Sequence, residues 1–296
     1  MIGLCTDSNS QIPPTLVEQF GIEVVPLSVV VGGQEYLEGV DLDADLFYRL
    51  LADGAGEVST GAPGPARFVE AYDRLVARGA TEIVSVHVSA SASTTLNGAR
   101  LAAAEVGVPV RLVDSSTASF GVTCCVWEAA RMLADGASPH SAALRAEAVG
   151  ALTGNVFVVQ TLDLARRGGR LAPTGTADLA PTGTAGGPGP DSGSAQLKKS
   201  ESVSILTFVD GRMEVIGSAP DLESAAKAMA DHVRRFGSNL RVGVGMSDPA
   251  SGYLAAELAE QIAAAPEVVE SVRYRIGPSV GAHTGPGTVG AVYYPT

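Results

Sequence analysis

Five hydroxyl side chains crowd into seven residues, at Ser89, Ser91, Ser93, Thr94 and Thr95. Chemically they are neutral hydrogen-bond donors, suited to the oxygens of a carboxylate or another anion. The run before them, Ile83 to Val88, is short, β-branched and nearly continuous, which is the signature of a buried parallel strand. The stretch after them, Thr95 to Glu105, has helical spacing, with Ser93 and Thr94 as cap candidates. A strand that ends in hydroxyls and turns into a helix sets them at the carboxyl edge of a sheet. Open α/β sheets bind ligands there, and a helix N-terminus favours an anion. The same residues also make an ordinary helix cap with no ligand, and the local pattern alone does not separate the two.

The elements that must position this cluster alternate along the first half of the chain. Ile2–Cys5 reads as a strand ending at Thr6-Asp7-Ser8, and Val24–Val31 as a second apolar strand closing at Gly32-Gly33. Ala44–Leu51 and Ala66–Ala77 carry helical spacing, Val110–Val113 reads as a strand ending at Asp114-Ser115-Ser116, and Phe120–Leu133 as a helix. Repeated β-α alternation predicts a parallel sheet flanked by helices. The polar strand ends at Asp7, Ser89 and Asp114 then share one edge. The second half predicts a mixed or antiparallel sheet: strands at Val156–Gln160, Leu240–Met246, Val268–Ile276 and Thr288–Tyr294, helices at Leu222–Arg235 and Tyr253–Ala264, and a hairpin over Ser204–Gly217 turning at Asp210-Gly211. The boundary falls near Thr153, giving units 1–153 and 154–296. Between them, Leu171-Ala-Pro-Thr-Gly-Thr-Ala177 recurs at Leu179–Ala185, and this low-complexity stretch, about 172–196, is expected to be a mobile surface loop.

Composition narrows the function. The formal net charge of −12 over 296 residues argues against nucleic acid and anionic membrane surfaces, which attract basic patches. Three cysteines form no disulfide framework and suit a reducing compartment. The opening MIGLCTDSNS has no basic n-region and no long apolar run, and no stretch approaches a membrane span, so a cytoplasmic protein is expected. No His/Cys/Asp spacing matches a metal site. Asp7 and Asp114 suit turn capping, His87 suits a satisfied strand position, and His140 and His232 suit the surface.

Several separated motifs carry a resemblance. They are Thr6-Asp7-Ser8, Val25-Pro26-Leu27, Ser59-Thr60-Gly61-Ala62-Pro63, Ser89 to Thr95, Val113-Asp114-Ser115, Gly168-Gly169-Arg170-Leu171 and His283-Thr284-Gly285-Pro286-Gly287-Thr288. In this order the chain resembles the DegV family, whose members include the fatty-acid-binding subunits of bacterial fatty acid kinase. The resemblance implies an α/β, two-domain DegV-like fold: an N-terminal parallel-sheet, Rossmann-like domain and a C-terminal α/β domain with a mixed or antiparallel sheet. It implies one long-chain fatty acid as ligand, no cofactor, and in the kinase-linked members a separate kinase that phosphorylates the carboxylate to an acyl phosphate. The family's carboxylate contacts fall on Thr60 and Ser93, and its head-group arginine and histidine on Arg170 and His283. The chain departs from the family pattern after Thr60, where Gly61-Ala62 replaces Ser-Gln, after Ser93, where Thr94 replaces Gly, and at the repeat of 171–193.

Two other readings remain. A hydrolase or transferase using Ser93 as nucleophile and His283 as base lacks the Gly-x-Ser-x-Gly elbow and an evident third member. A lipid-binding protein with no kinase partner fits the same residues. From the residues alone, Thr60 also reads as a helix cap ahead of Pro65, and Arg170 as a stabiliser of the helix end before it.

Overall fold

The structure, a computed structural model, describes residues 1–172 and 202–296. The mobile loop expected at about 172–196 therefore lies almost wholly outside the described residues. The chain opens with β1 (Ile2–Asp7), a 3₁₀ turn at Ser8–Ser10, and α1 (Pro14–Phe20). The single strand expected over Val24–Val31 is two strands, β2 (Glu23–Val25) and β3 (Ser28–Val31). Pro26 causes the break, because it has no N–H to give a ladder and fits poorly inside a sheet. β2 stays in the parallel sheet, while β3 leaves it to pair antiparallel with β4 (Gln34–Leu37) and β5 (Val58–Gly61).

The rest of the first half is α2 (Ala44–Ala52), α3 (Pro65–Ala77), β6 (Glu82–His87), α4 (Thr95–Ala103), β7 (Val110–Asp114), α5 (Phe120–Ala134) and α6 (Pro139–Leu152). The parallel sheet runs β2-β1-β6-β7, so the strand ends at Asp7, His87 and Asp114 do share one edge. On one face Phe68, Tyr72 and Leu75 of α3 pack with Ala99 and Ala102 of α4 over Cys5 and Ile83. On the other, α5 and α6 cover Leu4, Val84 and Val86.

The second half is β8 (Gly154–Val158), α7 (Asp163–Arg167), β9 (Val203–Val209), β10 (Arg212–Ala219), α8 (Leu222–Phe236), β11 (Leu240–Met246), α9 (Gly252–Ala263), β12 (Val268–Arg275), α10 (Pro278–Thr284) and β13 (Val289–Pro295). Its sheet, ordered β10-β9-β8-β13-β11-β12, is mixed: β11 and β12 pair parallel and the other pairs are antiparallel. The hairpin turn is at the expected Asp210-Gly211, where φ values of 49° and 79° give the doubly left-handed turn that matches strand twist. α8 and α9 cover one face of this sheet, burying Met229, Val233, Leu254 and Leu258. The opposite face meets α5, where Phe120 stacks on Tyr274 with ring centroids 4.5 Å apart. Tyr274, Val292 and Tyr294 of the mixed sheet thus share one core with the helices of the parallel sheet. No helix among the described residues is long and apolar enough to cross a membrane.

Candidate functional site

Most of the hydroxyl cluster is consumed locally. The Ser89 hydroxyl lies 2.8 Å from that of Ser91 and accepts the Ser91 N–H at 3.2 Å. Ser93 Oγ accepts the Thr95 N–H at 3.3 Å and lies 2.8 Å from the Thr95 hydroxyl, whereas Thr94 makes no side-chain cap bond. Ser93 therefore braces the turn that leads into α4, one residue before its N-cap Thr94, and it also lines the cavity described below. Asp7 and Asp114 cap turns as expected, accepting the N–H groups of Asn9 at 3.1 Å and Ser116 at 2.8 Å.

Thr60 is not a cap ahead of Pro65. It stands in β5 opposite Val29, at the margin of the small antiparallel sheet. Its Oγ1 lies 3.1 Å from Nε2 of His283, which comes from α10. Two side chains fix that short helix from below. Glu38 accepts the Ser279 N–H at 2.9 Å, and Gln11 accepts the Gly277 N–H. Glu38 also takes a 2.5 Å hydrogen bond from the Ser8 hydroxyl, and its burial raises its carboxyl pKa. The buried polar cluster thus ties α10, and with it His283, to the first strand end. The ring of His283 lies against Gly168, where a β-carbon would meet Nδ1 at 2.8 Å. That close approach is a reason for glycine in the Gly168-Gly169-Arg170 run.

Arg170 Nη2 donates to the Ala92 carbonyl at 2.5 Å and Nη1 to the Gly211 carbonyl at 3.5 Å. It has no carboxylate partner among the described residues. Burial lowers its pKa, yet a guanidinium remains a cation in a protein. Burial, and secondly the Arg170 charge, push His283 down to about 4, leaving it neutral at neutral pH. In a chain of net charge −12, Arg170 is thus a half-buried cation with no acidic partner among the described residues. That is a local preference for an anion.

Thr60, Ser93, Arg170 and His283 all line one cavity, which opens to solvent. Its remaining walls are largely apolar: Leu27 and Val88 from the parallel-sheet half, Phe157, Phe208 and Met213 from β8–β10, and Ile276 and Val280 from around α10. The arrangement suits an amphipathic ligand, with an anionic head at the four polar residues and an apolar body beyond them. Asn9, Ser119 and Ser279 also line it. Sequence reasoning passed over these three, which sit in turns or in an unrecognised helix.

A Ser-His-Asp arrangement exists elsewhere. His87 Nδ1 lies 2.9 Å from Asp7, its Nε2 2.6 Å from the Ser85 hydroxyl, and Tyr72 reaches Ser85 at 3.0 Å. All four side chains are fully buried at 0% exposure, which bars substrate from the Ser85 hydroxyl. His87 is the satisfied strand histidine that its position suggests.

These features define an α/β protein of three sheets, with an amphipathic cavity lined from all three. The DegV family model matches residues 1–177 and 200–296. A DegV domain-containing protein of Streptomyces coelicolor is 31% identical over 98% of this chain and 97% of its own. One from Deinococcus radiodurans is 30% identical over 99% and 98%. Among solved structures, a DegV family protein of Thermus thermophilus, described for its fatty acid binding, superposes with a TM-score of 0.81 at 28% identity, covering 100% of this chain and 99% of that one. A DegV lipid binding protein of Thermotoga maritima shares the fold at a TM-score of 0.82 and 22% identity, covering 99% of this chain and 98% of that one. The chain belongs to the DegV family.

Proposed function

We propose that the protein binds one long-chain fatty acid and presents its carboxylate to a fatty acid kinase, without catalysis of its own. The observation that carries this reading is the cavity in which an apolar body meets Thr60, Ser93, Arg170 and His283 at one end. The fatty acid binding described for the Thermus thermophilus relative supports it. In this reading residues 1–153 and 154–296 are the two domains and the acid lies between them. Hydroxyls of Thr60 and Ser93 donate to the carboxylate, while Arg170 and neutral His283 attend the head group. Neutral donors satisfy the oxygens without a tight ion pair, so an oxygen stays nucleophilic toward the γ-phosphoryl group of ATP held by the partner. That oxygen forms the new P–O bond, ADP leaves, and the acyl phosphate remains. Arg170 and His283 then suit the added negative charge.

Affinity comes mainly from the tail. At about 0.8 kcal/mol per buried CH₂, a chain of about 16 carbons gives roughly 12 kcal/mol gross, much of it offset by ordering and association. The serine-nucleophile alternative gains no support from the geometry, since Ser93 hydrogen-bonds Thr95 and His283 hydrogen-bonds Thr60. Native mass spectrometry of the purified protein, followed by denaturing extraction, tests the proposal. A bound fatty acid is expected. If no lipid is extracted, and added palmitate or oleate neither binds nor raises the melting temperature, the reading fails. Acyl phosphate formation with a fatty acid kinase and ATP tests the second half separately.

A further inference from the structure

One wall of the cavity is polar where an alkyl chain needs nothing polar. Ser119 stands at the start of the 15-residue helix α5, the position where serine ordinarily caps, yet its side chain makes no cap bond. Its backbone sits at φ 56°, ψ −142°, a region glycine occupies freely and serine does not. Asn9 holds it there, accepting the Ser119 N–H at 3.0 Å. Glycine would relieve that strain, so the cost of a side chain at this position goes to a hydroxyl that lines the cavity.

That hydroxyl has company. The Asn9 amide reaches Ser279 Oγ only at 3.4 Å, and Gln11 reaches the same oxygen at 3.4 Å, so Ser279 receives two long contacts. Tyr274, also in the wall, has its side chain beside Ser119, and burial raises its phenol pKa so that it stays neutral. Asn9, Ser279 and Tyr274 are all at least nine-tenths buried. The four groups are uncharged donors and acceptors, which suit a hydroxyl that both donates and accepts. Ser279 precedes His283 by four residues on α10, hence on the same helical face and about 6 Å away. The polar patch is therefore one helical turn from the head-group residues, beside the early part of a bound chain.

The geometry points to a ligand class narrower than fatty acids in general: a fatty acid carrying a hydroxyl on its chain, read by Ser119, Asn9, Ser279 and Tyr274. This rests on the fatty-acid reading above. The bound hydroxyl joins this patch at Ser119; Asn9 and Ser279 are already paired, so the group a plain chain leaves facing methylenes is the Ser119 hydroxyl, an unfavourable exchange for a polar group.

Calorimetric titration with hexadecanoic acid and with monohydroxyhexadecanoic acids, the hydroxyl moved stepwise along the chain, tests this. The quantity read is the ratio of hydroxy-acid to plain-acid affinity. In the natural protein it should exceed one by about three- to tenfold at one or two positions. In Ser119→Ala and Ser119→Gly it should fall toward one, and the glycine variant, relieved of strain, should fold at least as stably as the natural chain. A ratio near one at every position, or a preference unchanged in both variants, overturns the polar subsite while leaving fatty acid binding in place. Failure of hexadecanoic acid and all hydroxy acids alike overturns the fatty-acid reading and this inference together.

Discussion

The Thr60 hydroxyl and the Nε2 nitrogen of His283 meet at 3.1 Å although 223 positions separate them in the chain. One comes from the margin strand of a small antiparallel sheet, the other from a seven-residue helix just before the last strand. Their contact joins the first and second halves of the chain at the polar end of the cavity. In the proposed fatty acid complex, the Thr60 hydroxyl would share its hydrogen bonding between the histidine and the carboxylate, and His283 would position Thr60 as well as face the head group.

Ser93→Ala and Thr60→Ala should each weaken fatty acid binding. A hydrogen bond to a charged group contributes about 1.5–3 kcal/mol, or roughly 10–150-fold in affinity. Arg170→Ala and His283→Ala should instead reduce phosphoryl transfer by a kinase more than they reduce binding. Titration calorimetry with oleate and an acyl phosphate assay give the two readouts. Equal oleate affinity in the natural protein and the Ser93→Ala/Thr60→Ala double variant contradicts the assignment.

Acid should destabilise the ligand-free protein through His283. Burial and the Arg170 charge hold its folded pKa at about 4, against an ordinary 6.5. Between those values the unfolded chain binds more protons than the folded one, so stability rises with pH through that window and falls on acidification. The loss approaches about 3 kcal/mol near pH 4, an upper bound for a side chain partly open to water. Arg170→Ala removes one of the two causes and should raise the His283 pKa. Imidazole resonances followed by NMR across the window read this directly. A His283 titration at its ordinary value in the natural protein contradicts the assignment.

The buried set of Asp7, His87, Ser85 and Tyr72 should matter for stability and not for chemistry. Replacing His87 by alanine takes one partner from the Ser85 hydroxyl, which keeps Tyr72, and one from Asp7 Oδ2, which keeps the Val88 N–H, in a fully buried place. Each lost hydrogen bond costs about 1 kcal/mol, and the vacated volume adds to that. Thermal unfolding should show a large drop in melting temperature. A fluorophosphonate probe should leave Ser85 unlabelled in the native protein; labelling there would mean the strand opens and the site is reactive.

How much of this was legible in the sequence depended on whether the deciding signal was local. The Asp210-Gly211 hairpin and the strand before Ser89 were readable because turn chemistry and a β-branched run lie within a few residues. Thr60 was readable only through family resemblance: Val58–Gly61 is short, lacks alternation, and its strand partner Val29 is 31 positions away. Helix α10 was missed because Gly277, Pro278, Gly281 and Gly285 look like a loop, and its N-terminal fixing group, Glu38, comes from 241 positions away. The break at Pro26 was legible in principle, since proline inside a strand pattern demotes it, but the apolar run around it dominated the reading.

Two adjacent glycines should give opposite results when each is replaced by alanine. Gly168 has an ordinary φ of −76°, so alanine there meets no backbone strain, but its β-carbon would lie 2.8 Å from the His283 ring. The ring has to swing away, and the 3.1 Å contact with Thr60 goes with it. Fatty acid affinity should then fall about as far as in Thr60→Ala, with little change in melting temperature, and the His283 pKa should climb toward its ordinary value as the ring leaves its buried seat. Gly169 is the reverse case, with φ at +65° and nothing within 4 Å of a β-carbon. Alanine there costs about 1–2 kcal/mol of stability through the left-handed backbone but leaves the histidine in place. Comparing the two variants by thermal unfolding, oleate titration and His283 NMR separates a steric effect on the site from a general loss of stability. If Gly168→Ala binds oleate as well as the natural protein while its His283 resonance has shifted, then the histidine does not position Thr60 for the carboxylate.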